Sequence, residues 1–106
     1  MRIIANAREY LTATKDGNVL VVFGSSAKCP TCDRLMDQIY ALENEGSPCA
    51  IYKTNVQNMP EEAARFSIRS VPAMVLFVAG TPKVVTFGFK KSSEIRAMVA
   101  EVLCTK

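Results

Sequence analysis

Apolar and polar positions change their spacing several times along the chain, and each change marks an element. Val19-Leu20-Val21-Val22-Phe23 is a continuous apolar run closed by Gly24-Ser25-Ser26. Such a run describes a strand covered on both faces, expected here as a central parallel strand. From Cys29 the period lengthens: Cys32, Leu35, Met36, Ile39, Tyr40 and Leu42 recur at three- and four-residue steps, one face of a helix. Gly46 and Pro48 stop it. A second strand is expected from Cys49 to Lys53, and strand–helix–strand in about 35 residues is a βαβ unit.

A short helix from about Pro60 to Phe66 begins on a proline suited to a first turn. Met74 to Val78 and Val84 to Phe87 are two further apolar strands. Ala79-Gly80-Thr81-Pro82 joins them, and so short a connection makes them antiparallel. Ser92 or Ser93 can cap a last helix with Glu94 in its first turn. Ile95, Met98, Val99, Val102 and Leu103 form its apolar stripe. At the N-terminus a short strand at Ile3-Ile4 and a helix near Ala7 to Ala13 complete the series. The expected fold is α/β: a central mixed β-sheet in the order β-α-β-α-β-α-β-β-α, flanked by helices on both faces. At 106 residues, one domain spanning positions 1–106 is expected.

Composition narrows the chemistry. The chain has no His, which excludes Ser-His-Asp and Cys-His hydrolases built from this chain alone. Four Cys are too few for a disulfide-built scaffold. The net charge is +3, and Lys and Arg are scattered, with only Lys90 and Lys91 adjacent. A solvated surface is expected, with no nucleic-acid partner. No apolar run approaches a membrane span, and Asn6, Arg8 and Glu9 interrupt any signal-peptide core. A cytoplasmic, reducing location is expected, where a close Cys pair points to catalysis or metal rather than to a structural staple.

That pair is Cys29-Pro30-Thr31-Cys32, set between the apolar strand and the periodic helix. Residues three apart on a helix are about 5–6 Å apart, a separation a disulfide accepts. Backbone N–H groups and the dipole at a helix start stabilise an anion, so the Cys29 thiol is expected to be acidified, with Lys28 adding to the effect. A nucleophilic thiolate and a second thiol within reach suffice for thiol–disulfide exchange. A metal half-site is a competing reading. It needs two further ligands, and only Cys49 and Cys104 remain as soft donors, neither with a Cys neighbour. An inert pair of small helix residues is the third. Cys49 and Cys104 themselves read as bystanders, although Cys104, near a chain end, could form an intermolecular disulfide.

These features together resemble the thioredoxin family over almost the whole chain. The resemblance rests on Val19 to Phe23, on Cys29 to Cys32, and on Val71-Pro72 some forty residues later. Lys53 to Pro60 is similar to the family's second-strand segment, Phe66 to Pro72 to its approach to a cis-proline, and Phe77, Gly80 and Gly88 to its hairpin positions. The resemblance implies a thioredoxin fold, with Cys29 the attacking thiolate, Cys32 the resolving thiol, and a redox disulfide between them. It implies a cis peptide at Pro72, with Val71 pairing its backbone with an extended substrate; read locally, Val71-Pro72 is only a strand-entry turn. Lys28, Pro30 and Thr31 would join the substrate-binding surface.

Four departures stand out. Lys28 occupies the place of the family's active-site Trp, and the chain has no Trp. Pro-Thr stands inside the pair where thioredoxins have Gly-Pro, and a Pro after the first Cys is more like glutaredoxins. The loop Gly24 to Lys28 is one residue longer, and the buried Asp under the resolving thiol is replaced by an apolar residue, Val22 or Phe23. Lys53, which matches the family's Lys partner of that Asp, is a candidate proton-transfer group; the plainer reading is a surface Lys snorkelling from a strand end. The function expected is a monomeric dithiol–disulfide oxidoreductase that needs no bound cofactor or metal. Its partners would be protein disulfides, and a thioredoxin-reductase-like enzyme or glutathione would recharge it. A glutathione-linked activity and a non-enzymatic binding subunit are the alternatives.

Overall fold

The computed structural model describes residues 1–104. Its elements are β1 (Arg2–Ile3), α1 (Ala7–Thr14), β2 (Asn18–Gly24), α2 (Pro30–Asn44), β3 (Ala50–Asn55), α3 (Pro60–Arg65), β4 (Ala73–Val78), β5 (Thr81–Phe87) and α4 (Ser92–Cys104). The five strands form one sheet in the spatial order β1-β3-β2-β4-β5. β1, β3 and β2 run parallel, and β4 and β5 are antiparallel to their neighbours. The order of elements and the mixed sheet are those the hydrophobic pattern predicts. β2 is central but parallel on one side only: it pairs with β3 in parallel and with β4 antiparallel.

β2 is apolar throughout because both of its faces are covered. Val19, Val21 and Phe23 enter one cluster with Tyr10 of α1 and Ala63 of α3. Leu20 and Val22 enter the other with Leu35 and Ile39 of α2 and Ile95 and Val99 of α4. The period of two along a strand divides the run between two cores. α2 presents Cys32, Leu35, Met36, Ile39 and Leu42 to its core, so its amphipathic stripe fixes the depth of the second cysteine.

Several boundaries shift from the sequence reading, β3 for one running from Ala50 to Asn55, and two of the shifts have a clear physical reason. β5 begins at Thr81, with Pro82 inside it and a register shift between Leu76 and Phe77 of the facing strand. Pro82 is tolerated because β5 is an edge strand and a proline cannot donate to a ladder. The hairpin turn contracts to Ala79-Gly80, both at positive φ (49° and 83°), the two-residue geometry that suits strand twist. At α4 the cap lies at Lys91. Its carbonyl accepts from the Ile95 N–H at 3.0 Å, and its N–H donates to Glu94 Oε1 at 2.9 Å. No helix among the described residues is long and apolar enough to cross a membrane.

Candidate active site

Four strand ends converge on one end of the sheet. Gly24, the last residue of β2, lies beside Asn55, the last of β3. Phe23 faces Ala73, the first of β4, and Ala73 faces Phe87, the last of β5. The loop into α2 and the segment Val71-Pro72 therefore leave the sheet at the same end from adjacent strands.

Cys29 is the N-cap of α2, with φ −146° and ψ 88°. Its Sγ accepts from the Cys32 N–H at 3.2 Å, and its carbonyl accepts from the Asp33 N–H at 3.1 Å. Pro30 takes the first helical position, where a missing N–H costs no bond. Cys29 and Cys32 are joined in a disulfide with their Cα atoms 5.2 Å apart. The two sulfurs are not equivalent. Cys32 is 7% exposed and belongs to the buried stripe of α2, whereas Cys29 is partly open to solvent. Lys28 and Pro30, the chain neighbours of the open cysteine, are exposed, and Thr31 is half-buried. In the dithiol state this geometry offers a backbone donor and a helix start to Cys29, the conditions that favour a thiolate.

The Val71-Pro72 peptide is cis, as the resemblance implies. Pro72 is buried and Val71 partly exposed. The Pro72 carbonyl accepts from the Gly88 N–H at 2.8 Å, which straps the segment after β5 to the proline loop. Gly88 stands at φ +84°, a conformation side chains rarely adopt.

Lys53 sits opposite Val22 in the parallel register. Val22 is 1% exposed and packs in the α2 core, while Phe23 turns to the opposite core beside Tyr10. Val22 is thus the residue beside Lys53, and no carboxylate pairs with that lysine among the described residues. The Lys53 stem bends over Gly24: its Cε lies 3.7 Å from where a Cβ on Gly24 would be.

Two contacts were not legible in the sequence. Gln57 Nε2 donates to Ser25 Oγ at 2.8 Å and its Oε1 accepts from the Ser26 N–H at 3.1 Å, pinning the lengthened loop to the end of β3. An exposed amide and a hydroxyl 32 positions apart carry no sequence signal. Arg34, two residues beyond Cys32, holds its guanidinium carbon 4.8 Å from the centroid of the Phe89 ring. Cys49 lies just before β3, at the other end of the sheet, and Cys104 is exposed at the end of α4.

Comparison with known proteins places this geometry. The thioredoxin family model matches residues 3–101. The chain belongs to the thioredoxin family. It is 32% identical to the thioredoxin of Alicyclobacillus acidocaldarius over 90 residues, covering 83% of this chain and 84% of that one. It is 29% identical to thioredoxin AMT13 of Alternaria alternata over 105 residues, 98% of this chain and 89% of that one. A mutant thioredoxin of Halobacterium salinarum superposes with a TM-score of 0.83 at 22% identity, covering 93% of this chain and 87% of that one, which bears on the fold. Family and cysteine pair together make this thioredoxin-family chain a dithiol–disulfide oxidoreductase.

Proposed function

We propose that the protein is a reductase of protein disulfides, working through Cys29 and Cys32. The observation that carries this reading is the asymmetry of the pair: an accessible Cys29 at a helix start, facing a backbone N–H at 3.2 Å, above a buried Cys32. In the dithiol form the Cys29 thiolate attacks one sulfur of a substrate disulfide. The substrate's S–S bond breaks, a Cys29–substrate disulfide forms, and the departing substrate thiolate takes a proton. Cys32 then loses its proton and attacks Cys29 Sγ. The second substrate thiolate leaves, and the Cys29–Cys32 disulfide remains. Two electrons pass to the substrate and none to a cofactor.

Lys28, Pro30 and Thr31 would line the docking surface, and the Val71 backbone would add to an extended substrate segment, oriented by Pro72. With Val22 in place of an acid, Lys53 takes the proton of Cys32 as a base in this reading. Lys53→Met then slows resolution of the mixed disulfide by roughly tenfold, and an unchanged rate assigns Lys53 to the surface. Recharging needs a two-electron thiol donor, a thioredoxin-reductase-like enzyme or glutathione, in a cytoplasmic setting. The chain would act as a single-domain monomer.

Insulin reduction measured with thioredoxin reductase, and in parallel with glutathione and its reductase, tests the assignment. Turnover with the first supports a thioredoxin-type reductase, and turnover with glutathione alone reassigns the recharging partner. Loss of both, with biological activity intact in Cys29→Ser, would leave a binding subunit and refute the redox role. A Cys29–Cys32 reduction potential far more oxidising than the cytosolic glutathione poise would replace reductase by oxidase.

A further inference from the structure

The fold does to the basic residues what the sequence does not. Five segments leave the sheet at the disulfide end: positions 4–6, 25–29, 56–59, 66–72 and 88–91. Their charged residues are Lys28, Arg69, Lys90 and Lys91, with no acid among them. The loops at the opposite end, positions 15–17, 45–49 and 79–80, carry Lys15, Asp16 and Glu45, a mixed set. The four cations of the disulfide end lie in loops that hold no acid, whereas the acids of this end lie in the helix starts.

The acids at this end are Glu9, Asp33, Glu61, Glu62 and Glu94, all in first turns of helices, where their charge answers the helix dipoles. Glu94 is further engaged by the Lys91 N–H at 2.9 Å. Lys28, Arg69 and Lys91 are exposed and make no ion pair among the described residues. Between the cations lies apolar surface. Phe87 is 48% exposed, and Phe89 is half-buried under Arg34, tied to the proline loop through Gly88.

We infer that the disulfide end of the sheet is a docking surface for extended protein segments rich in Asp and Glu around the target disulfide, with an apolar side chain for the Phe87–Phe89 strip. The inference rests on the proposed reductase reading. Cations ringing a reactive centre raise the encounter rate of acidic partners and repel basic ones, and salt screens the effect over about 10 Å at 0.1 M. An extended protein segment fits better than nucleic acid, because the cations are spread over separate loops at the end that carries the thiol pair and an apolar strip rather than forming a stripe.

Two disulfide-bridged peptides that differ only in flanking Glu or Lys test this against the pre-reduced protein. Each rate is divided by the same peptide's rate with dithiothreitol, which removes differences in the peptide thiols. The normalised Glu-to-Lys ratio is expected near tenfold at low ionic strength and near one at about 0.5 M salt. Arg69→Glu with Lys91→Glu is expected to bring the low-salt ratio to one or below. The Arg69→Gln, Lys91→Gln pair lowers it partway and guards against a fold lost to charge reversal. A normalised ratio of one in the unmodified protein, or a ratio indifferent to salt, overturns the inference alone. Displacement of the Glu peptide by an equimolar oligonucleotide reassigns the surface to nucleic acid and also overturns it. Failure to reduce either peptide or hydroxyethyl disulfide sinks the redox reading, and this inference with it.

Discussion

Cys29 and Cys49 are both half-buried cysteines placed where a loop meets a regular element, yet their surroundings differ in one decisive respect. Cys29 caps a helix, with the Cys32 N–H 3.2 Å from its sulfur and Lys28 beside it. Cys49 precedes a strand and packs against the apolar cluster under α2 and α4. Burial pushes the Cys49 thiol up, and the hydroxyl of Ser47, 3.9 Å from its sulfur, offsets only part of that. Equal depth therefore does not mean equal chemistry. A thiol over backbone donors is prepared for the anion, and a thiol over methylenes is held neutral.

The largest expected effect separates the two outright. Cys29→Ser is expected to lower disulfide reduction at least about a thousandfold, since the nucleophile is gone. Cys49→Ser is expected to leave it within about twofold, measured in the same insulin assay under saturating reductant. A Cys49→Ser loss comparable to that of Cys29→Ser would erase the distinction. Next in size is alkylation. In reduced protein at neutral pH, iodoacetamide is expected to label Cys29 ten- to a hundredfold faster than Cys49, followed by mass spectrometry. The Cys49 rate is expected to keep rising with pH beyond the range of an ordinary thiol. Labelling of Cys49 first would show that the helix start confers no advantage. Smaller still is Ser47→Ala, which removes the group that lowers the Cys49 thiol. Labelling of Cys49 is expected to slow by a few-fold at pH 8, and faster labelling would mean that access, not ionisation, governs it.

How much of this was legible beforehand follows from the range of the interactions. β2 and α2 declare themselves because their apolar positions repeat within one element, at periods of two and of three to four. Pro30 between two cysteines marks the helix start by local rules alone. The start of β5 is hidden in the sequence because a proline reads as a break until the strand is known to lie at an edge. Whether Val22 or Phe23 stands in the place of the missing acid depends on pairing with Lys53 thirty-one positions away, and only the β2–β3 register decides it. The cation ring is of the same kind. Lys28, Arg69 and Lys91 are scattered in sequence and share one end of the sheet only because the strands leading to their loops end together.

The smallest effect extends the contrast to a second buried acid far from the redox pair. Tyr10 is 1% exposed, edge-on to Phe77 at 5.8 Å, and its hydroxyl has no hydrogen-bond partner among the described residues. Burial, with Glu62 nearby, pushes its phenol from 10.0 to about 12. The folded state thus prefers the neutral ring. That contribution to stability is fully present below about pH 10, where the unfolded phenol begins to ionise, and is lost as pH rises through about 12. Tyr10→Phe keeps the ring contacts and removes an unpaired hydroxyl, so near neutrality it is expected to match the parent or exceed it by up to about 1 kcal/mol in urea unfolding. Above pH 10 its advantage is expected to widen, because the variant has no phenol to ionise at that site. A gap between the two proteins that stays constant from pH 9 to pH 12 would mean that burial does not hold Tyr10 neutral. The desolvation argument applied to Cys49 would then lose its strongest parallel in this fold.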